Sequence, residues 1–187
     1  MAKWKKQTLK LKDDHGWKSR PGYRILVLGR GAVRIDIPQD WVVEPGKGSL
    51  QILDRKPPDD DCRLEVSFNQ VPRIDWSRLP LAQLLTDVIS DDHRAVTHTG
   101  DIRSEDRSDL RLVWTEVRFT DPVENREAYS RILIGIGGNV QCLLTMDYWT
   151  EDAERVTPVW DEAVKTLQVA RYIADPTTGK PIEPWLN

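Results

Sequence analysis

The stretch from Arg126 to Val169 constrains the fold most. Tyr129 to Gly137 and Asn139 to Trp149 read as two long strands joined at Gly138-Asn139, a two-residue hairpin signal. Thr150 follows as a candidate N-cap, with Glu151 and Asp152 placed to complement the positive end of a helix dipole. Ala153, Val156, Trp160, Ala163, Val164 and Leu167 then fall along one side of a helix. Pro158 interrupts it, since proline has no N–H for the carbonyl of Glu154; a kink is expected, or a short first turn and a restart capped by Thr157.

The segments before this unit are strands and one helix. Val33, Ile35 and Ile37 share a face of a half-buried strand that Pro38 ends, and Trp41 to Val43 follow as core-filling residues. Ser49 to Leu53 is a short strand. Cys62, Leu64, Val66 and Phe68 alternate with Arg63, Glu65 and Ser67, the cleanest strand pattern in the chain. Leu81, Leu84, Leu85, Val88 and Ile89 make one stripe of an amphipathic helix that Pro80 can open. His93 to Arg103 reads as a polar strand near an edge, and Leu110 to Phe119 carries apolar groups on both faces. Prolines at 176, 181 and 184 predict an extended tail over 174–187, with Trp185 and Leu186 as a docking pair.

The N-terminus differs in charge from the rest. Residues 1–30 carry nine Lys and Arg against Asp13 and Asp14, or +7; the whole chain is −3, which leaves −10 for the remainder. Gln7 to Lys12 alternates, Asp13 to Gly16 and Pro21-Gly22 supply turns, and Tyr23 to Gly29 is a second strand candidate. The expectation is a basic hairpin arm over 1–31, appended to a domain over 32–173. Such an arm either packs along its own acidic body or meets an acidic protein, a membrane surface or a nucleic acid. Eight Trp against two Phe also puts large amphipathic rings at edges and contact surfaces.

Other classes find little support. No apolar run reaches membrane-span length, and no apolar h-region follows Met-Ala-Lys-Trp-Lys-Lys, so a cytoplasmic protein is expected. Two cysteines do not make a disulfide framework; Cys62 and Cys142 sit in inward-facing rows as small core residues. Gly29-Arg30-Gly31 lacks the third glycine of a dinucleotide loop, with Arg34 in its place, and leads into a strand rather than a helix. Gly46-Lys47-Gly48-Ser49 lacks the Ser or Thr that follows Lys in a phosphate loop. His93 and His98, five apart on a strand, point to opposite faces. His15 beside Asp13 and Asp14, and Asp59 to Asp61, lack a complete ligand set. Trp4, Trp17 and Tyr23 among basic residues could stack bases, yet the pI of about 5.7 argues against a dedicated nucleic-acid domain. The residues expected to carry no cofactor, metal or catalytic constellation leave the enzyme question open, leaning to no.

Two segments together resemble the PsbP-like superfamily, which also takes in DcrB-like proteins and Ran-binding Mog proteins. Val33-Arg34-Ile35-Asp36-Ile37-Pro38-Gln39-Asp40-Trp41 looks like that family's opening. Arg131 to Val169 is similar to its closing hairpin and helix, with Pro158 early and Trp160 two residues later. The resemblance implies an α+β fold, an antiparallel sheet of about six strands flanked by helices as an αβα sandwich. It also implies accessory, adaptor or chaperone work on a protein partner. The interaction surface expected is the arm, at Trp4, Lys5, Lys6, Lys10, Lys12, Trp17, Lys18 and Arg20. The alternatives are a small-ligand or hydrolytic pocket between sheet and helix, and an arm that binds a lipid or nucleic-acid surface. A homodimer is compatible with either.

Overall fold

Gly138 lies in the left-handed region (φ 54°) and turns the chain as the Gly-Asn pair predicts. Val140 stands opposite Gly137, and the register continues to Trp149 opposite Ala128. The computed structural model describes residues 9–182. Their strands are β1 (Tyr23–Leu28), β2 (Val33–Pro38), β3 (Val42–Pro45), β4 (Leu50–Leu53), β5 (Cys62–Gln70), β6 (Val96–Thr99) and β7 (Arg103–Asp106), continuing with β8 (Arg111–Asp121), β9 (Arg126–Gly137), β10 (Val140–Trp149), β11 (Gln168–Val169), β12 (Ile173–Asp175) and β13 (Lys180–Pro181). The helices are α1 (Leu81–Ser90) and α2 (Ala153–Thr166).

The main sheet is antiparallel, ordered β3-β4-β5-β10-β9-β8-β6, with β7 also paired to β8. It has eight strands rather than about six. The extra ones are short: β3 and β4 form an edge hairpin, and the polar segment over 93–103 gives only β6 before an interruption, with β7 beginning at Arg103. Because strand side chains alternate, the register sorts the sheet into two faces. Leu64, Leu144, Leu133 and Leu112 face one side, where Trp160, Ala163, Leu167, Ile35 and Ile37 pack on them. Val113, Val117, Ile132, Ile134 and Ile136 face the other, covered by Leu81 and Leu85 of α1. Each fully buried Leu or Ile contributes about 1.5–3 kcal/mol by removal from water. The sandwich expected from the resemblance is therefore present: α1 on one face, and α2 with the small sheet β1-β2-β11 on the other.

Several local expectations change. β1 pairs with β2 from Tyr23–Pro38 to Leu28–Val33, so the strand assigned to an appended arm belongs to the body. The continuous apolar run Ile25–Leu28 signals a strand but not its neighbour. Residues 9–12 form no strand, and the hairpin expected between them and Tyr23–Gly29 is absent among the described residues. As far as Ile182 the tail turns back as the β12–β13 hairpin instead of running extended, because Asp175, Pro176 and Gly179 supply turn chemistry between its strands, while Trp185 and Leu186 lie outside the described residues. Thr150 opens a 3-10 turn and makes no side-chain cap; its hydroxyl donates to the Glu127 carbonyl (3.3 Å). α2 runs through Pro158 without restarting at Thr157, whose hydroxyl donates back to the Ala153 carbonyl at 2.7 Å. Pro158 and Glu154 lie on the exposed side, where water can take the carbonyl that loses its donor.

Candidate interaction surface

Residues 9–22 cross the C-terminal hairpin as an irregular strap. The Lys12 amide donates to the Thr177 carbonyl (3.1 Å) and the Gly16 amide to the Thr178 carbonyl (2.8 Å). The Trp17 indole N–H donates to the Pro176 carbonyl (2.9 Å). Its ring lies where a Cβ on Gly179 would be, within 2.6 Å of that position. Gly179 also has φ 72°, a conformation that side-chain-bearing residues rarely take. At the other end of the strap, Arg20 reaches Glu162 of α2 (3.1 Å) and stacks over the Tyr23 ring at 4.4 Å.

Lys12 is the electrostatic anchor. Its ammonium lies 2.8 Å from Asp175, whose other oxygen accepts from the Thr177 hydroxyl and amide. The Lys12 contact, then the Thr177 donors, hold the Asp175 carboxyl well below the usual carboxylate range. The same contact raises the Lys12 pKa. Lys180 stands 3.6 Å from Asp14, a further exposed pair.

The expected interaction residues thus divide into three groups. Lys12, Trp17 and Arg20 are engaged with the chain's own tail and α2. Lys10 and Lys18 are exposed with no ion-pair partner among the described residues. Trp4, Lys5 and Lys6 lie outside the described residues. The strap also exposes Leu9 (43%) and Leu11 (41%), which flank Lys10.

A concavity opens on the α2 face of the main sheet, between α2 and the β7–β8 edge. It measures about 340 Å³ and is lined by Glu105, Arg107, Trp114, Trp160, Asp161, Val164 and Lys165. Trp114 and Trp160 meet edge to face, with centroids 5.9 Å apart at 66°. Arg107 closes one end. Its guanidinium pairs with Glu105 (2.8 Å) and donates to the Val164 and Leu167 carbonyls (3.0 and 3.1 Å), the negative end of α2. Alternation could have found Trp114, which shares a face with Leu112 and Glu116; nothing in the polar run around Glu105 and Arg107 marks them as lining.

Further along this face, Glu116 accepts from Arg131 (2.7 Å) and from the Tyr148 hydroxyl (2.5 Å), while Arg131 also donates to Thr157 (3.0 Å). Burial works to raise the Glu116 pKa, but the Tyr148 and Arg131 donors outweigh it, and the net shift is downward. Burial and the Glu116 contact push the Tyr148 hydroxyl up. The network ties β8, β9 and β10 to α2 with its carboxylate ionised. Burial likewise pushes up both thiols, Cys142 to about 12. Among the described residues no group of three or more His, Cys, Asp or Glu could hold a metal ion, and no helix is long and apolar enough to cross a membrane.

The family model described as Alr1449 matches residues 24–173. The protein alr1449 of Nostoc sp. (strain PCC 7120) is 52% identical over 177 residues, 94% of this chain and 92% of that protein. Among solved structures, the cyanobacterial PsbP (CyanoP) of Synechocystis sp. PCC 6803 superposes with a TM-score of 0.55 at 16% identity. It covers 82% of this chain and 96% of that one. The Ran-binding protein Mog1p of Saccharomyces cerevisiae gives 0.52 at 9% identity, covering 79% and 95%. At these identities the two structures show a shared fold, the PsbP- and Mog-type architecture.

Proposed function

The chain belongs to the Alr1449 family, and on that footing we propose that it is a non-catalytic accessory or adaptor protein whose N-terminal arm binds a protein partner. The carrying observation is the strap: Leu9 and Leu11 stand exposed beside Lys10, while Lys12 and Trp17 pin the following residues to the body. An anchored segment that presents two leucines and a free ammonium suits a partner with apolar notches in an acidic surface. Mog1p, a Ran-binding protein, supports the reading that this architecture serves protein binding. The cytoplasm, with its reducing conditions, suits two buried, unpaired thiols and is the compartment in this reading.

The test is affinity capture from extracts of the native host with three baits: the full chain, a chain beginning at Asp13, and L9S/L11S. Truncation at Asp13 keeps the Trp17 anchor and β1, which a cut at residue 31 would destroy. A partner held by the full chain and lost from both variants supports the proposal; equal retention by all three overturns it. If binding instead persists on anionic vesicles or oligonucleotides and collapses with salt, the arm is an anionic-surface binder.

A further inference from the structure

β1 is the outer strand of the small sheet β1-β2-β11, and no strand lies beyond it among the described residues. The bonding pattern fixes which of its backbone groups face that side. The Gln39 amide donates to the Gly22 carbonyl (2.9 Å), and the register runs unbroken from there, so Arg24, Leu26 and Leu28 exchange hydrogen bonds with β2. The alternate residues of β2 point away from β1. The Asp36 amide donates to the Thr166 hydroxyl (2.9 Å), and Arg34 stands opposite Gln168 of β11. On β1 the residues opposite Asp36 and Arg34 are Ile25 and Val27. Their N–H and C=O groups therefore face the open side, where Tyr23 to Val27 are only half-buried.

The other sheet edges are blunted. β3 is four residues long and ends in Pro45, β6 is irregular in register against β8, β7 reads Arg-Ser-Glu-Asp, and β11 has two residues. Shortness, proline, irregularity and charge are the usual protections against strand addition. β1 has none of these: six residues, Tyr-Arg-Ile-Leu-Val-Leu, with no proline, bulge or lysine. Its one charge, Arg24, is spent on the Trp41 carbonyl.

We propose that β1 is a homodimer interface, at which β1 of a second copy adds antiparallel and joins the two small sheets into one. An antiparallel edge is complementary to itself about a two-fold axis, so one surface serves both copies. With Leu26 of the two copies opposite each other at the axis, Ile25 of each chain faces Val27 of the other. Their N–H and C=O groups then bond reciprocally, and every group left open on the edge finds a partner. The same register sets β-branched Ile25 and Val27 side by side across the seam and places Arg24 opposite Leu28 rather than another charge. A second copy brings a matching apolar strand already held straight by β2, so little ordering entropy opposes the pairing. A seam of one strand falls below ~1,200 Å² and gives a weak dimer, sensitive to concentration. It uses neither Leu9 nor Leu11 and does not depend on the arm.

The experiment follows the full chain, from dilute solution to its solubility limit, by sedimentation velocity and by amide hydrogen exchange. The apparent mass rises from 21.5 kDa towards twice that value. The Ile25 and Val27 amides slow in exchange along with it, while the Leu26 amide, bonded to β2, is slow throughout. Val27→Pro removes an N–H that the single chain does not use, at an edge position where proline is tolerated. It weakens the dimer roughly thirtyfold, the worth of two hydrogen bonds, and leaves the cooperative unfolding transition in place. Ile25→Lys puts a charge on the seam and also weakens it. A mass that stays at 21.5 kDa at every concentration overturns the proposal. Ile25 and Val27 amides protected equally at every concentration overturn it too, since the chain's own residues then cover the edge. So does a dimer that both variants leave intact, which places the interface elsewhere. The wild-type exchange measurement decides the matter even where Val27→Pro does not fold.

Discussion

Trp17 and Gly179 fit as a pair: the indole ring occupies the space that any side chain at 179 would fill, while its N–H donates to the Pro176 carbonyl. The contact joins two segments 162 positions apart and decides where the basic arm leaves the body. Gly179→Ala places a methyl into the ring and strains a left-handed residue, at a cost of about 1–3 kcal/mol to the local structure. Its expected readout is faster tryptic cleavage at Lys12 and Lys18, with the cooperative unfolding transition of the sheet nearly unmoved.

Docking of the strap depends on pH at both extremes. Asp175 has a lowered pKa, so its contribution is complete above the unfolded value of about 3.9 and is lost as pH falls through the folded value. Lys12 has a raised pKa, so its contribution is complete below about 10.4 and is lost as pH rises through the folded value. The Gly16 amide, held by the Thr178 carbonyl, should therefore keep its shift and slow exchange across the window between, and lose both only in strong acid or strong base. Both groups are exposed, so added salt weakens the pair. In Asp175→Asn the amide should be released at neutral pH.

Glu116→Gln removes the charge that Arg131 and Tyr148 share. Arg131 is largely buried, so the orphaned guanidinium costs about 1–2 kcal/mol, less than a fully buried pair because Glu116 is about one-third exposed. Since the Glu116 pKa is lowered, this stabilisation is present above about 4.3 and fades as pH falls through the folded value. Urea denaturation of both chains at pH 7 and at acid pH measures it; the gap between them should narrow in acid.

Cys62 and Cys142 should resist alkylation in the native state, since both are buried and their thiols are held protonated well above neutral pH. Iodoacetamide at pH 8, followed by mass, should add two labels only as fast as the chain unfolds. Prompt labelling of the native protein would contradict the packing of β5 on β10.

The sequence was most legible where one periodicity ran long. The β9–β10 hairpin, the stripe of α2 and the alternation of β5 stand where spacing put them; of the five apolar positions of α1, Leu81 and Leu85 are buried, Leu84 and Ile89 are partly buried, and Val88 is exposed. Short elements were less legible, because four residues such as Arg103–Asp106 carry no apolar pattern and are strands only through β8. Leu9 and Leu11 alternate with lysines as a strand would, yet join no strand among the described residues, while the unalternating apolar run at Tyr23–Leu28 joins β2. Pairing partners are a tertiary choice that local alternation does not encode. The arm's charge was visible; its anchoring by Trp17 depends on a turn at 175–179 that prolines made look extended. The crevice depends on Trp114 meeting Trp160 across 46 positions, which no local pattern announces.

The central claim, that the arm rather than the body meets the partner, is tested most directly by site-specific photocrosslinking. A photoreactive phenylalanine analogue replaces Leu11 on the strap or Val123 at the β8–β9 turn, where the side chain is 86% exposed. On irradiation in native-host extract, the account predicts one discrete adduct from position 11, absent from position 123 and competed away by the unlabelled full chain but not by a chain beginning at Asp13. The same adduct from position 123, or competition by the chain beginning at Asp13, would contradict it.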